Sequence, residues 1–107
     1  MAFTVRLTEH AERDLDEIYR YVAAHDSTER ADHVLNELEA AASKLVELPE
    51  RGNIPKELQS LGIAEYREVH WRPYRIIYRI DGDKATIYCI ADGRRGMQSL
   101  LQRRLLS

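Results

Sequence analysis

The stretch YRIIYRIDGDKATIYCIADGRR, residues 74–95, decides how this chain folds. Two β-patterned runs flank Asp81-Gly82-Asp83, and Asp-Gly between apolar runs is a strong hairpin signal because Gly accepts the positive φ that a tight turn needs. In the first run Ile76, Tyr78 and Ile80 alternate on one face with Arg75, Ile77 and Arg79 on the other. A strand that sets two arginines on one face implies a small, rigid, cationic platform, and function is expected there. The second run leaves into Gly93-Arg94-Arg95, where the two arginines either extend that face or neutralise Asp92.

Working outward, strands are expected at about residues 65–71, 74–80 and 84–91. Residues 92–95 form a loop, and Met97, Leu100, Leu101 and Leu105 recur at helical spacing over residues 96–106. A helix of that length is marginal without docking. Residues 50–62 carry Gly52, Pro55 and Gly62 with little periodicity and read as a loop with one helical turn near residues 56–61. Upstream, Phe3, Val5 and Leu7 alternate as a first strand. Thr8 is a good N-cap for a helix over about residues 9–24, whose stripe is Ala11, Leu15, Ile18, Tyr19 and Val22. Asp26-Ser27 caps a second helix, with Glu29 placed for a capping box on Asp26; its stripe runs from Ala31 through Leu38 to Leu48, and Pro49 ends it. Both stripes need one apolar surface, and the sheet is the only candidate. The expected fold is α+β, in the order β-α-α-β-β-β-α, with a helical hairpin packed on one face of a small, largely antiparallel sheet.

With 107 residues and 44% apolar content, one domain spanning residues 1–107 is expected, and disorder is excluded. No run approaches a membrane span, and residues 1–6 are strand-like where a signal segment would be apolar, so a cytoplasmic location is expected. The single cysteine, Cys89, sits in an apolar strand and reads as a small buried hydrophobe. The net charge of −2 hides an asymmetry: residues 1–50 carry 12 acids against 5 bases, residues 51–107 carry 6 against 11. Such a split suggests an acidic face and a basic face that could meet RNA, DNA or an acidic protein.

The chain contains no P-loop, dinucleotide-binding glycine pattern, nucleophile elbow or metal signature, and no cofactor or metal is expected. His10, His25 and His33 lie in or beside acid-rich helices and read as surface residues. His70 stands among Arg67, Trp71, Arg72, Arg75 and Arg79. Arginine forks bind phosphate, Trp71, Tyr66 or Tyr74 could stack a base, and a histidine moves protons near neutral pH. The plainer alternative puts the aromatic rings in the core, His70 in solvent, and the arginines on Glu65, Glu68 and Asp81. Arg103 and Arg104, in the last turns of the final helix, fit its dipole.

The run AERDLDEIYRYV over residues 11–22, Leu48-Pro49, Tyr66-Arg67, the run YRIIY over residues 74–78 and the closing Gly93-Arg94-Arg95 together resemble the RelE/ParE toxin superfamily. These are the toxins of bacterial type II toxin–antitoxin modules, often called plasmid stabilisation proteins. No one of these motifs is specific alone; their joint order covers nearly the whole chain. The resemblance implies a cytoplasmic toxin neutralised by a cognate antitoxin in a hetero-oligomer. RelE-like members cleave mRNA on the ribosome, whereas ParE-like members inhibit DNA gyrase. Position by position, Arg67, Arg75 and Arg95 fall on the basic positions of the RelE-like site. The aromatic acid/base near the C-terminus has no match, its position falling near Leu101 with no Tyr, His or Phe after Cys89, and Val69, or His70 with a shifted register, replaces a second basic residue. Phosphodiester cleavage needs a proton donor and acceptor, for which arginine is poorly suited, and His70 is the only titratable substitute. A ribonuclease would therefore use Arg67, His70, Arg75 and Arg95, but the incomplete set favours gyrase inhibition. A harmless antitoxin-binding module is the third reading. Arg67, Arg72, Arg75, Arg79, Arg94 and Arg95, with Met97, Leu100 and Leu101, are the expected contacts to target or antitoxin.

Overall fold

A computed structural model describes residues 4–106; Phe3, expected to open the first strand, and Ser107 lie outside the described residues. The elements are β1 (Thr4–Leu7), α1 (Glu9–His25), α2 (Thr28–Ser43), α3 (Lys56–Gln59), β2 (Tyr66–Trp71), β3 (Tyr74–Asp81), β4 (Lys84–Asp92) and α4 (Met97–Leu105). The sheet order is β1-β4-β3-β2, with β1 parallel to β4 and the remaining pairs antiparallel. The expected α+β architecture is the one observed. Gly82 turns β3 into β4 with a φ of +61°, the conformation that Gly adopts without a Cβ penalty.

Thr8 caps α1 by accepting the Ala11 N–H at 3.1 Å. The expected capping box does not form. Ser27 is the N-cap of α2, accepting the Arg30 N–H at 3.0 Å, while the Asp26 N–H closes α1 on the Val22 carbonyl. Shifting the cap by one residue puts Arg30, not Glu29, at the reciprocal position. Nor does α2 run to Pro49. It tightens into a 3₁₀ turn at Lys44–Val46, which buries Leu45 completely and leaves Leu48 exposed. The Tyr78 hydroxyl fixes the chain beyond, donating to the Pro49 carbonyl at 2.6 Å and accepting the Gly52 N–H at 3.2 Å. Gly52 is required here, since a Cβ would lie 2.5 Å from the Glu68 carbonyl oxygen.

Side-chain alternation gives the sheet two apolar faces. Ile76, Tyr78, Ile87 and Ile90 meet Ala11, Val34 and Leu38 of the helical hairpin. Ile77, Cys89 and Ala91 meet Leu58 of α3 and Met97, Leu100 and Leu101 of α4. The hairpin thus takes one face as expected, but the face expected to present an open cationic platform lies under α3 and α4. A β-bulge where Ile77 pairs with Cys89 and Tyr78 with Ile87 leaves Tyr88 unopposed. That extra residue puts Tyr88 beside Cys89 on the α4 side.

β1 ends at Leu7 opposite Ile87, so residues 88–92 of β4 have no strand on that edge. Side chains take its place. Asp14 of α1 accepts the Ile90 N–H at 2.9 Å, and Arg104 of α4 donates to the Tyr88 carbonyl at 2.9 Å. Arg104 also binds both Asp14 oxygens, at 2.9 and 3.1 Å. This nearly buried pair ties α1, β4 and α4 together, and it holds the Arg104 guanidinium more firmly protonated than usual. Among the described residues no helix is long and apolar enough to cross a membrane.

Candidate functional site

β2 and β3 pair so that His70 stands opposite Arg75, and Glu68 opposite Ile77. Glu68, His70 and Arg75 therefore share the α3 face. Arg75 Nε donates to Glu68 Oε1 at 2.6 Å. Its two terminal nitrogens form a fork on Glu57 of α3, at 2.9 and 2.7 Å. Asn53 Nδ2 donates to the other Glu68 oxygen at 3.2 Å, and His70 Nε2 lies 3.2 Å from Glu68 Oε1. The Arg75 side chain is only 12% exposed, Glu57 11% and Glu68 5%. The fork on Arg75 holds the Glu57 carboxyl below the usual glutamate range, and the same bonds raise the Arg75 guanidinium. A cleft of about 680 Å³ opens beside this centre, lined by Asn53, Lys56, Gln59, His70 and Gly93 among others. At Gly93 the backbone passes the Arg75 stem so closely that a Cβ would meet Arg75 Cδ at 2.9 Å.

The arrangement alters the sequence expectation in three respects. Arg75 is not an open cation: two carboxylates surround one guanidinium and take three of its five N–H donors, Nε–H on Glu68 and one from each terminal nitrogen on Glu57. Arg67 does not join it. Arg67 pairs with Tyr78, which puts it on the opposite face, and its Nη1 donates to the Glu50 and Gly52 carbonyls. A strand's two-residue period makes Arg67 and Arg75 incompatible with a single phosphate on one face. Met97, Leu100 and Leu101, expected to contact a target or antitoxin, are buried in the protein's own core. Arg79 binds Asp81 at 2.9 Å and lies over the Tyr66 and Tyr88 rings.

The remaining cations are outside. Arg72 is exposed in the turn between β2 and β3, where the Arg72-Pro73 bond is cis. Arg94 is 80% exposed and holds Asp92 at 2.6 Å, which lowers the Asp92 carboxyl; Arg95 follows it, exposed. Of the histidines, His70 alone adjoins the Arg75 cleft, and its side chain is 46% exposed.

Sequence reading missed Glu57 and Asp14, and gave Arg104 a structural place at the end of its helix without its partner. The signals were modest. Glu57 is the one acid in the helical turn expected within the loop. Asp14 lies three residues after Ala11 and four before Ile18, an acid on an apolar stripe, and Arg104 follows Leu100 by four on the stripe of α4.

Residues 5–97 match the family described as the ParE toxin of the type II toxin–antitoxin system, parDE. Toxin ParE3 of Caulobacter vibrioides is 27% identical over 91 residues, covering 85% of this chain and 87% of that protein. Among solved structures, the chromosomal ParDE toxin–antitoxin system of P. aeruginosa superposes with a TM-score of 0.72 at 20% identity, covering 84% of this chain and 95% of that one. The toxin–antitoxin complex RelBE2 of Mycobacterium tuberculosis gives 0.63 at 25% identity, covering 86% and 99%. A double mutant of the E. coli toxin RelE in the free state gives 0.61 at 17% identity, covering 99% and 100%.

Proposed function

The chain belongs to the ParE toxin family of type II toxin–antitoxin systems, and from that membership we propose that it arrests growth by inhibiting DNA gyrase. It acts in the cytoplasm, as one domain, and a cognate antitoxin neutralises it in a hetero-oligomer. The observation that carries the choice of target is the closed Arg75 centre. Cleaving a phosphodiester requires a cation free to meet the charge of the transition state and groups to move protons. Here the central arginine is already neutralised by Glu57 and Glu68, and Arg67 faces away from it. A protein interface needs no such free centre, since it spreads its energy over a patch.

The antitoxin binds as an extended segment that orders on the toxin, with apolar anchors on the α1–α2 hairpin and carboxylates near exposed arginines. The structural relatives include toxin–antitoxin complexes, which supports this partner class. Arg75, held between Glu57 and Glu68 within the chain, is not one of the partner's ion-pairing sites.

Induction without antitoxin, followed by cell shape, DNA-damage response and messenger integrity, tests the target. Filamentation with intact messenger, and loss of supercoiling by purified gyrase on adding the toxin, are the expected results. His70→Gln leaves toxicity unchanged. Rapid messenger cleavage that His70→Gln slows by roughly 10²–10⁴-fold, the cost of losing a general acid or base, would establish the ribonuclease instead.

A further inference from the structure

β4 keeps a short open stretch of edge beyond Asp14. The Gly93 N–H donates to the Pro73 carbonyl at 2.7 Å, and Arg75 stands opposite Ala91. The alternation of an antiparallel ladder therefore turns the Ala91 main chain toward β3, and those of Ile90 and Asp92 away from it. On that outer edge Asp14 takes the Ile90 N–H, and the Asp92 carbonyl accepts the Arg95 N–H at 3.1 Å. Among the described residues the Ile90 carbonyl and the Asp92 N–H have no partner. A hollow of about 470 Å³ lies beside them, between α1 and the turn after β4, lined by Ile18, Tyr21, Tyr74 and Arg95 as well as by residues 90–92. Ile90 and Ala91 turn their side chains to opposite faces of the sheet, so a hollow touched by both meets β4 at its edge.

An acceptor on one residue and a donor two residues further on are the pair of groups that a parallel neighbour uses. β1 shows the pattern on this same edge: Thr4, opposite Lys84, donates to the carbonyl of Asp83, one residue earlier, at 2.9 Å. β1 stops opposite Ile87, and the free groups of Ile90 and Asp92 frame one further place, opposite Ala91. We infer that this place takes one residue of an extended antitoxin segment running parallel to β4, its N–H on the Ile90 carbonyl and its carbonyl on the Asp92 N–H. The choice of the antitoxin as the source rests on the partner proposed above. Side chains alternate along a strand, so the residues before and after this one face the helical hairpin and meet Ile18 and Tyr21, which calls for apolar side chains. The central residue points to the other face. Arg95 lines the hollow, exposed and with no ion pair among the described residues, and it calls for a carboxylate at that position. Main-chain bonds at the edge supply affinity, and the apolar–acidic–apolar order supplies specificity.

NMR of the isotope-labelled full chain tests this amide by amide. In the free protein the Asp92 N–H exchanges quickly, while Ala91 and Gly93, bonded to β3, are protected. A leucine pentapeptide with glutamate at its centre and both ends blocked moves the Asp92 amide downfield and slows its exchange. Methylating the nitrogen of the central glutamate removes the bond to the Ile90 carbonyl and raises Kd about tenfold. Arg95→Ala weakens the glutamate peptide but not its glutamine counterpart. Tyr21→Ala weakens both, and at 63% exposure its loss spares the fold. A nitroxide at the C-terminal end of the peptide broadens the Arg95 amide more than that of Asp14, as the parallel direction requires. An Asp92 amide already protected in the free chain, no response there to the peptide, equal binding of the methylated peptide, or broadening in the reverse order would each overturn the inference. In complex with the antitoxin the Asp92 amide gains the same protection. A neutralising antitoxin that leaves it exchanging removes this inference alone, and peptide binding in a chain that no antitoxin neutralises removes the antitoxin reading and leaves the strand site.

Discussion

Replacing Asp14 by alanine should destabilise the protein more than any surface change, because one carboxylate does the work of a missing strand. The Asp14 side chain is 7% exposed and accepts bonds from Arg104 and from the Ile90 amide. Removing one member of a buried ion pair costs about 3–5 kcal/mol. With its side chain 16% exposed, Arg104 can be partly rehydrated, so Arg104→Ala should sit at the low end, about 3 kcal/mol. Asp14→Ala also strands a buried amide, which adds about 1 kcal/mol and brings the loss to about 4. Small domains hold only about 5–15 kcal/mol in total. The double alanine variant removes both charges, and a coupling energy of about 1–3 kcal/mol is expected. Urea unfolding followed by Trp71 fluorescence measures each value; at a slope of about 2 kcal/mol/M, Asp14→Ala moves the midpoint by about 2 M. Hydrogen exchange supplies the site-specific check. The Ile90 amide and α4 should both exchange faster in Asp14→Ala, whereas Arg104→Ala should leave the Ile90 amide the more protected of the two. Additive single-variant costs, or an Ile90 amide indifferent to Asp14→Ala, would refute the strand-replacement argument.

Tyr78→Phe should cost about 1–3 kcal/mol, because it leaves the Gly52 N–H and the Pro49 carbonyl without their buried partner; chemical denaturation measures it, and a loss below about 0.5 kcal/mol would mean that water replaces the hydroxyl. Burial pushes the Cys89 thiol up to about 11, so alkylation at pH 8 should be negligible in the native protein and should track unfolding when denaturant is added. The Glu57 carboxyl is held below its ordinary value of 4.5 by Arg75. Its contribution to stability is therefore full above that value and is lost as pH falls through the lower folded value. Stability measured from pH 6 downward should drop in that window, and Glu57→Gln should flatten this part of the profile while lowering stability at neutral pH.

Much of the fold was legible because it rests on local rules. Asp81-Gly82-Asp83 between two alternating runs specified the β3–β4 hairpin, since only a turn tolerating positive φ joins strands so closely. Thr8 and the stripes of α1 and α2 specified the helical hairpin and its apolar face, and Pro55 with the residues after it gave the single turn of α3. Period two also divided β3 correctly, with Ile76 and Tyr78 on one side and Ile77 with the arginines on the other.

Tertiary structure decided what those faces meet. Alternation states that Arg75 and Ile77 share a side, but not that α3 brings Glu57 across a loop to take the guanidinium fork. Register decided that His70 faces Arg75 while Arg67 faces Tyr78, because a pairing between strands cannot be read from either strand alone. The bulge at Tyr88 broke the alternation of β4 at a place marked by neither Gly nor Pro. The early end of β1 left an edge that only Asp14 and Arg104, separated by ninety residues of sequence, could close. Composition and periodicity fix which residues seek burial and which seek charge. The partner each one finds depends on the distance between side chains that the chain brings together only when folded.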